Sequence, residues 1–199
     1  MVWHTTTPPH TPPHLLPSTP HATDLGIKGT LESMGPVLCP LVHLRELDLD
    51  GAAFTGSIPG WLSSCFPKLK ELDLSFNQLT GSLPQWIDKI GGGGLLQFKA
   101  EHNSLSGAIP LHLGNSNLKV LWLFGNDLQG MLPQDLARSK SLISLDVRDN
   151  RRLCGPLPPG LHVNPVPEDW KGFCAKASSE DSACEVLTSR GTGLGSPCK

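Results

Sequence analysis

The sequence predicts an α/β solenoid: a right-handed coil with one short parallel strand per repeat and an irregular or 3-10 convex side. Two observations lead there. The block at 69–84, LKELDLSFNQLTGSLP, has a leucine spacing that recurs in four further copies. Every copy also carries a glycine three residues ahead of a proline. The copies start at Leu44, Leu69, Leu95, Leu118 and Leu142, so the steps are 25, 26, 23 and 24 residues.

In the quoted copy Leu69, Leu72, Leu74, Leu79 and Leu83 fall at offsets 0, 3, 5, 10 and 14. That is neither a helical stripe nor a strict alternation. A period of 20–29 residues with L-x-x-L-x-L-x-x-N-x-L is the signature of a leucine-rich repeat. Each copy is one coil. Its x-L-x-L-x segment suits a short strand whose side chains alternate in and out. Strands are expected at about 46–50, 71–75, 97–101, 120–124 and 144–148. The inward leucines need stacked neighbours, because one coil cannot bury them alone. Each fully buried one is worth roughly 1.5–3 kcal/mol.

The chain leaves each strand at an asparagine. Asn77, Asn103, Asn126 and Asn150 occupy this corner, and the first copy has Ala52 instead. An Asn side chain has one acceptor and two donors for backbone groups that would otherwise be buried unpaired. These four asparagines are therefore structural, and the corner of coil one should be less well tied.

The second half of each copy reads L-x-G-x-[IL]-P, with Gly56, Gly81, Gly107, Gly130 and Gly155 before Pro59, Pro84, Pro110, Pro133 and Pro158. The proline fixes φ and removes a donor, which suits an irregular convex side. This pattern resembles the plant-type leucine-rich repeat of receptor-like kinases, receptor-like proteins and polygalacturonase inhibitors. The resemblance covers about 44–160, and a degenerate copy, LGIKGTLES at 25–33, extends it. NRRLCGPLP, with one residue inserted between Asn150 and Leu153, looks like that family's closing repeat, in which a cysteine begins the C-terminal cap.

The resemblance implies a disulfide between Cys154 and Cys174 and an extracellular or cell-surface location. The family's N-terminal cap of paired cysteines and a Trp is missing before the first coil, which points to a truncated start or a piece of a larger array. Cys39 and Cys65 lie 26 residues apart, about one period. They are expected side by side on adjacent coils, either bonded or both reduced. Trp170, Gly172 and Cys174 form W-x-G-x-C, a motif that resembles the N-terminal cap yet follows the repeats. It is either a similarly built C-terminal cap or the start of a second array.

Composition divides the chain into three parts. Residues 1–24 hold six prolines among many Thr and His, and read as a disordered arm. Residues 25–160 form the repeat domain, and 161–199 a C-terminal cap and flexible tail. The arm has no apolar run longer than Leu15–Leu16, so it is no signal peptide. No apolar stretch is long enough for a membrane span. A net charge of −2 offers no general attraction to nucleic acid.

No catalytic constellation emerges, and the chain is expected not to be an enzyme. No cofactor or metal is expected either. Cys39, His43 and Cys65 lack the C-x-x-C pair usual in structural zinc sites. GGGG at 91–94 has no G-K-[ST] after it and reads as a slack connection.

Function then falls to the outward positions of the strands. They form columns: Glu46, Glu71, Gln97, Val120, Ser144; then Asp48, Asp73, Lys99, Trp122, Asp146; then Asp50, Ser75, Glu101, Phe124, Arg148. Phe76 and His102 stand beside them at the strand exits. Coils one and two are acidic, and coil four is expected to expose Val120, Trp122 and Phe124 together. Adjacent exposed apolar side chains mark binding surfaces. The expected partner is a protein or peptide on the concave face. Two alternatives are an intracellular scaffold, cytoplasmic and cytoskeletal or ciliary as in algal proteins of this kind, and the ectodomain fragment of a receptor kinase.

Overall fold

A computed structural model describes residues 29–159, 161, 193–194 and 198. The arm expected over 1–24, the W-x-G-x-C segment and most of the expected cap and tail lie outside the described residues. Five coils stack as the leucine spacing predicts, and part of the degenerate copy precedes them as an N-terminal coil. That coil contributes a strand at Gly29–Thr30, a 3-10 turn at Leu31–Met34 and a helical turn at Gly35–Leu38, with Leu31 and Leu38 fully buried.

The first sheet has five parallel strands: Glu46–Asp48, Glu71–Asp73, Gln97–Lys99, Val120–Trp122 and Ser144–Asp146. The register matches the repeat throughout, so Leu47, Leu72, Phe98, Leu121 and Leu145 line up in one inward row. Each strand is two residues shorter than predicted, but inter-coil bonding continues past it. Leu49 N–H donates to Asp73 O at 2.9 Å, and Gly51 N–H to Ser75 O at 3.0 Å.

The L-x-G-x-[IL]-P segments form a second parallel sheet rather than an irregular side. Its strands include Phe54–Gly56, Gln78–Ser82, Ser104–Gly107, Asp127–Gly130 and Arg152–Gly155. Phe54, Leu79, Leu105, Leu128 and Leu153 are buried at matching positions. Short 3-10 turns, Leu111–Asn115 and Gln134–Arg138 among them, complete the convex side as expected.

The asparagines join the two sheets and, at the same time, neighbouring coils. Asn126 Oδ1 accepts Leu105 N–H at 2.9 Å, while its Nδ2 donates to Ala100 O at 2.9 Å and Leu123 O at 3.0 Å. Asn77, Asn103 and Asn150 repeat this pattern. Each thus ties its own coil to the one before. Ala52 makes no such tie to the N-terminal coil. A disulfide between Cys39 and Cys65 joins those two coils covalently.

Two expectations are corrected here. Cys154 is bonded to Cys198, not to Cys174, which lies outside the described residues. Residue 198 returns to the last coil, and a strand at Gly193–Leu194 pairs with Cys154–Gly155. GGGG is not slack either. Gly91 is buried at φ +66°, and a Cβ there would sit 2.0 Å from the Leu69 carbonyl oxygen. Only glycine lets the chain pass so close to its neighbour.

Candidate recognition face

The outward columns of the first sheet stand where the spacing puts them, since register pairs Asp48 with Asp73, Lys99 with Trp122, and Trp122 with Asp146. In a leucine-rich repeat this sheet lines the inside of the curve. Glu46, Asp50, Glu71, Asp73, Lys99, Asp146 and Arg148 are half-buried, and Asp48 is exposed.

The expected apolar trio is rearranged. Val120 is buried, at 3% exposure. The reason is Trp122, whose indole N–H donates to Ser144 Oγ at 2.9 Å. Ser144 is the register partner of Val120, so the indole lies back beside it. Trp122 is half-buried, with the Lys99 ammonium 5.5 Å from its ring. The large apolar side chain that does stand out along this edge is Phe76, at 55% exposure.

Phe76 belongs to a stack. Its ring lies 4.6 Å from the His102 imidazole, nearly parallel. His102 meets Phe124 edge-on at 4.9 Å, and Arg148 caps Phe124 at 5.1 Å. Phe76 and His102 both hold φ near +53°, a backbone uncommon for bulky residues, which turns their side chains onto the ridge. The repeat places all four residues on the outward face but does not by itself reveal the stack. Equivalent or adjacent offsets in consecutive coils were the available signal.

Charges interleave with the rings. Lys99 Nζ binds Asp73 Oδ2 at 3.2 Å, and Arg148 Nε donates to both oxygens of Asp146 at 2.9 Å. Burial opposes the Lys99 charge, yet the Asp73 carboxylate, with Glu101 and Asp48 adding to it, outweighs burial and raises the ammonium's pKa. Burial likewise pushes Asp48 up, helped by the negative charges of Asp73 and Asp50 and opposed by the Asp50 N–H bond and Lys99. Glu101 is only 5% exposed, and burial, with Asp73 and Asp146 adding, pushes it up to about 7. Its Oε2 is buried without a hydrogen-bond partner. Glu46, Asp48, Glu71, Asp73, Gln97 and Lys99 line a shallow depression of about 30 Å³. Among the described residues no group of three or more His, Cys, Asp or Glu is arranged to hold a metal ion. The arrangement suits recognition of side chains by charge and stacking.

The leucine-rich repeat family profile matches residues 43–65, 68–90 and 117–139. The glycine–proline pattern agrees with the plant-type form, and the similar solved structures include ectodomains of plant receptor kinases. The chain is a plant-type leucine-rich repeat protein. A BIR3–SERK2 complex structure from Arabidopsis thaliana contains a chain 29% identical to it, with 77% of this chain and 71% of that one covered at a TM-score of 0.59. The Arabidopsis receptor kinase HAESA structure, with the peptide hormone IDA and the co-receptor SERK1, is 36% identical, covering 68% of this chain and 22% of that one at 0.59. A plant ice-binding protein is 32% identical, covering 66% and 40% at 0.55. This leucine-rich repeat chain thus spans well under half of the HAESA and ice-binding chains. No curated protein matches it by sequence. No helix among the described residues is long and apolar enough to cross a membrane.

Proposed function

We propose that this chain is a non-catalytic, receptor-like or inhibitor-like recognition module that binds a protein or peptide on its concave face, outside the cell. The observation that carries this is the face itself: an exposed aromatic ridge bordering a row of carboxylates on a parallel sheet. Aromatic side chains anchor most interfaces, and charges set partner choice. Two disulfides fit an oxidising compartment. The HAESA structure holds a peptide hormone. The ice-binding relative shows that the fold alone does not fix the role.

Site-specific crosslinking tests the face. Peptides are selected from a random dodecapeptide display library on the full chain. Photo-reactive benzoylphenylalanine is then placed at Gln97, on the concave sheet, or at Thr80, exposed on the second sheet. The expected result is crosslinking through position 97 and not 80. Failure to enrich any peptide, or attachment through 80, overturns the reading.

A further inference from the structure

We propose that the coil-one end of this face is a socket for the guanidinium of an arginine in a peptide ligand, stacked on Phe76 above Gly51 and paired with Asp48. The inference rests on the concave-face reading and narrows it to one side-chain chemistry.

The stack on the ridge has an open end. His102 of coil three covers one face of the Phe76 ring. Successive coils are about 4.8 Å apart, so the other face looks toward coil one. The equivalent position there is Gly51, which has no side chain to cover it. A Cβ built on Gly51 meets no heavy atom within 4 Å, and Phe76 is 55% exposed. A planar group at van der Waals distance, about 3.5–4 Å, continues the stack in that space.

Charge then selects the planar group. Asp48 lies in coil one, three residues before Gly51. One of its oxygens accepts Asp50 N–H at 3.1 Å. Lys99, a cation close enough to act on it, is engaged with Asp73 at 3.2 Å. Asp48 also lines the depression it shares with Glu46, Glu71 and Asp73. The incoming group should therefore be flat and cationic. A neutral aromatic ring would stack but bring no counter-charge to Asp48. A lysine ammonium is a compact point charge that does not stack, whereas a guanidinium does both.

The protein builds the same arrangement from its own residues at the far end of the ridge. Arg148 covers Phe124 at 5.1 Å while donating through Nε to both oxygens of Asp146. Asp48 occupies the column of Asp146. The socket is this cluster with the arginine supplied in trans.

The display-selected dodecapeptides are the probe. They are expected to be rich in arginine. Replacing the critical arginine by citrulline, flat but neutral, should weaken binding about tenfold or more, and replacement by lysine several-fold. On the protein side, Phe76→Asn removes the ring, and asparagine tolerates the left-handed backbone. Gly51→Asn fills the gap on the same logic. Asp48→Asn removes the charge. Each should weaken binding about tenfold with little change in thermal midpoint. The citrulline peptide leaves the protein untouched, so it decides the matter even if a variant folds poorly. Peptides that crosslink through position 97 but need no arginine, or bind all three variants normally, overturn the socket and leave the concave-face reading standing. Peptides that attach through position 80, or none enriched, overturn both.

Discussion

Glu101 is a carboxyl group taken out of water among other carboxylates, and its proton is held accordingly. Its folded pKa of about 7 lies above the ordinary value of 4.5, chiefly through burial. Between those values the folded chain keeps a proton that the unfolded chain releases. Stability must therefore fall as pH rises from 4.5 to 7, by roughly 3 kcal/mol at most, at 1.36 kcal/mol per pKa unit. Glu101→Gln keeps the neutral shape and removes the titration. Urea midpoints at pH 5 and pH 7.5 should show wild type losing more stability than the variant over that interval. Equal losses would refute the burial argument. The residue's outward column was legible from offset alone, but its burial was not. Burial depends on neighbours such as Ser75, itself 3% exposed, whose packing no period encodes. The burial of Val120 is hidden from the repeat for the same reason: the hydrogen bond that draws the Trp122 indole to Ser144, the register partner of Val120, spans two coils.

At the scale of the element, the corner asparagine and the tight glycine do the work that regular secondary structure does elsewhere. Asn126→Ala leaves Leu105 N–H and the carbonyls of Ala100 and Leu123 without their partner in the core. At about 1–3 kcal/mol for an unsatisfied buried group, the loss should be about 2–4 kcal/mol. Asn117 is exposed and holds Gly93 O at 2.7 Å. Asn117→Ala should cost about 0.5–1 kcal/mol. Matching denaturant midpoints for the two variants would count against the asparagine ladder. Gly91→Ala meets the Leu69 carbonyl in a left-handed backbone, which together should cost about 2–5 kcal/mol. Gly60→Ala, with nothing within 4 Å of its Cβ, is the control and should be near neutral. The ladder could be read from sequence because each asparagine recurs at one offset. The second sheet could not. Its strands carry one buried residue between two outward ones, as in Gln78–Leu79–Thr80, too short an alternation to distinguish from a turn.

Across the whole molecule, each coil touches little beyond its neighbours, so the ends are where a solenoid opens. The two disulfides stand at those ends. Cys39–Cys65 fastens the N-terminal coil to coil one, where Ala52 makes no tie, and Cys154–Cys198 returns the chain to coil five. Cysteine count and repeat spacing located both clusters, but not the partner of Cys154. That choice depends on the path of the chain after the last repeat, where no period operates. The second bond spans 44 residues and should stabilise by roughly 4 kcal/mol on the chain-entropy model. In protein made in an oxidising compartment, a non-reduced digest should yield the Cys154 peptide joined to the Cys198 peptide. A Cys154–Cys174 species would overturn the connectivity. Cys198→Ser should lower the denaturant midpoint. Because coupling along the coil is nearest-neighbour, the damage should also be local. Amide exchange in the Cys198→Ser variant should quicken first around Ser144–Asp146 and Arg152–Gly155, with Glu46–Asp48 still protected. Uniform loss of protection would mean that the coils unfold as one unit and that the C-terminal bond stabilises all of them equally.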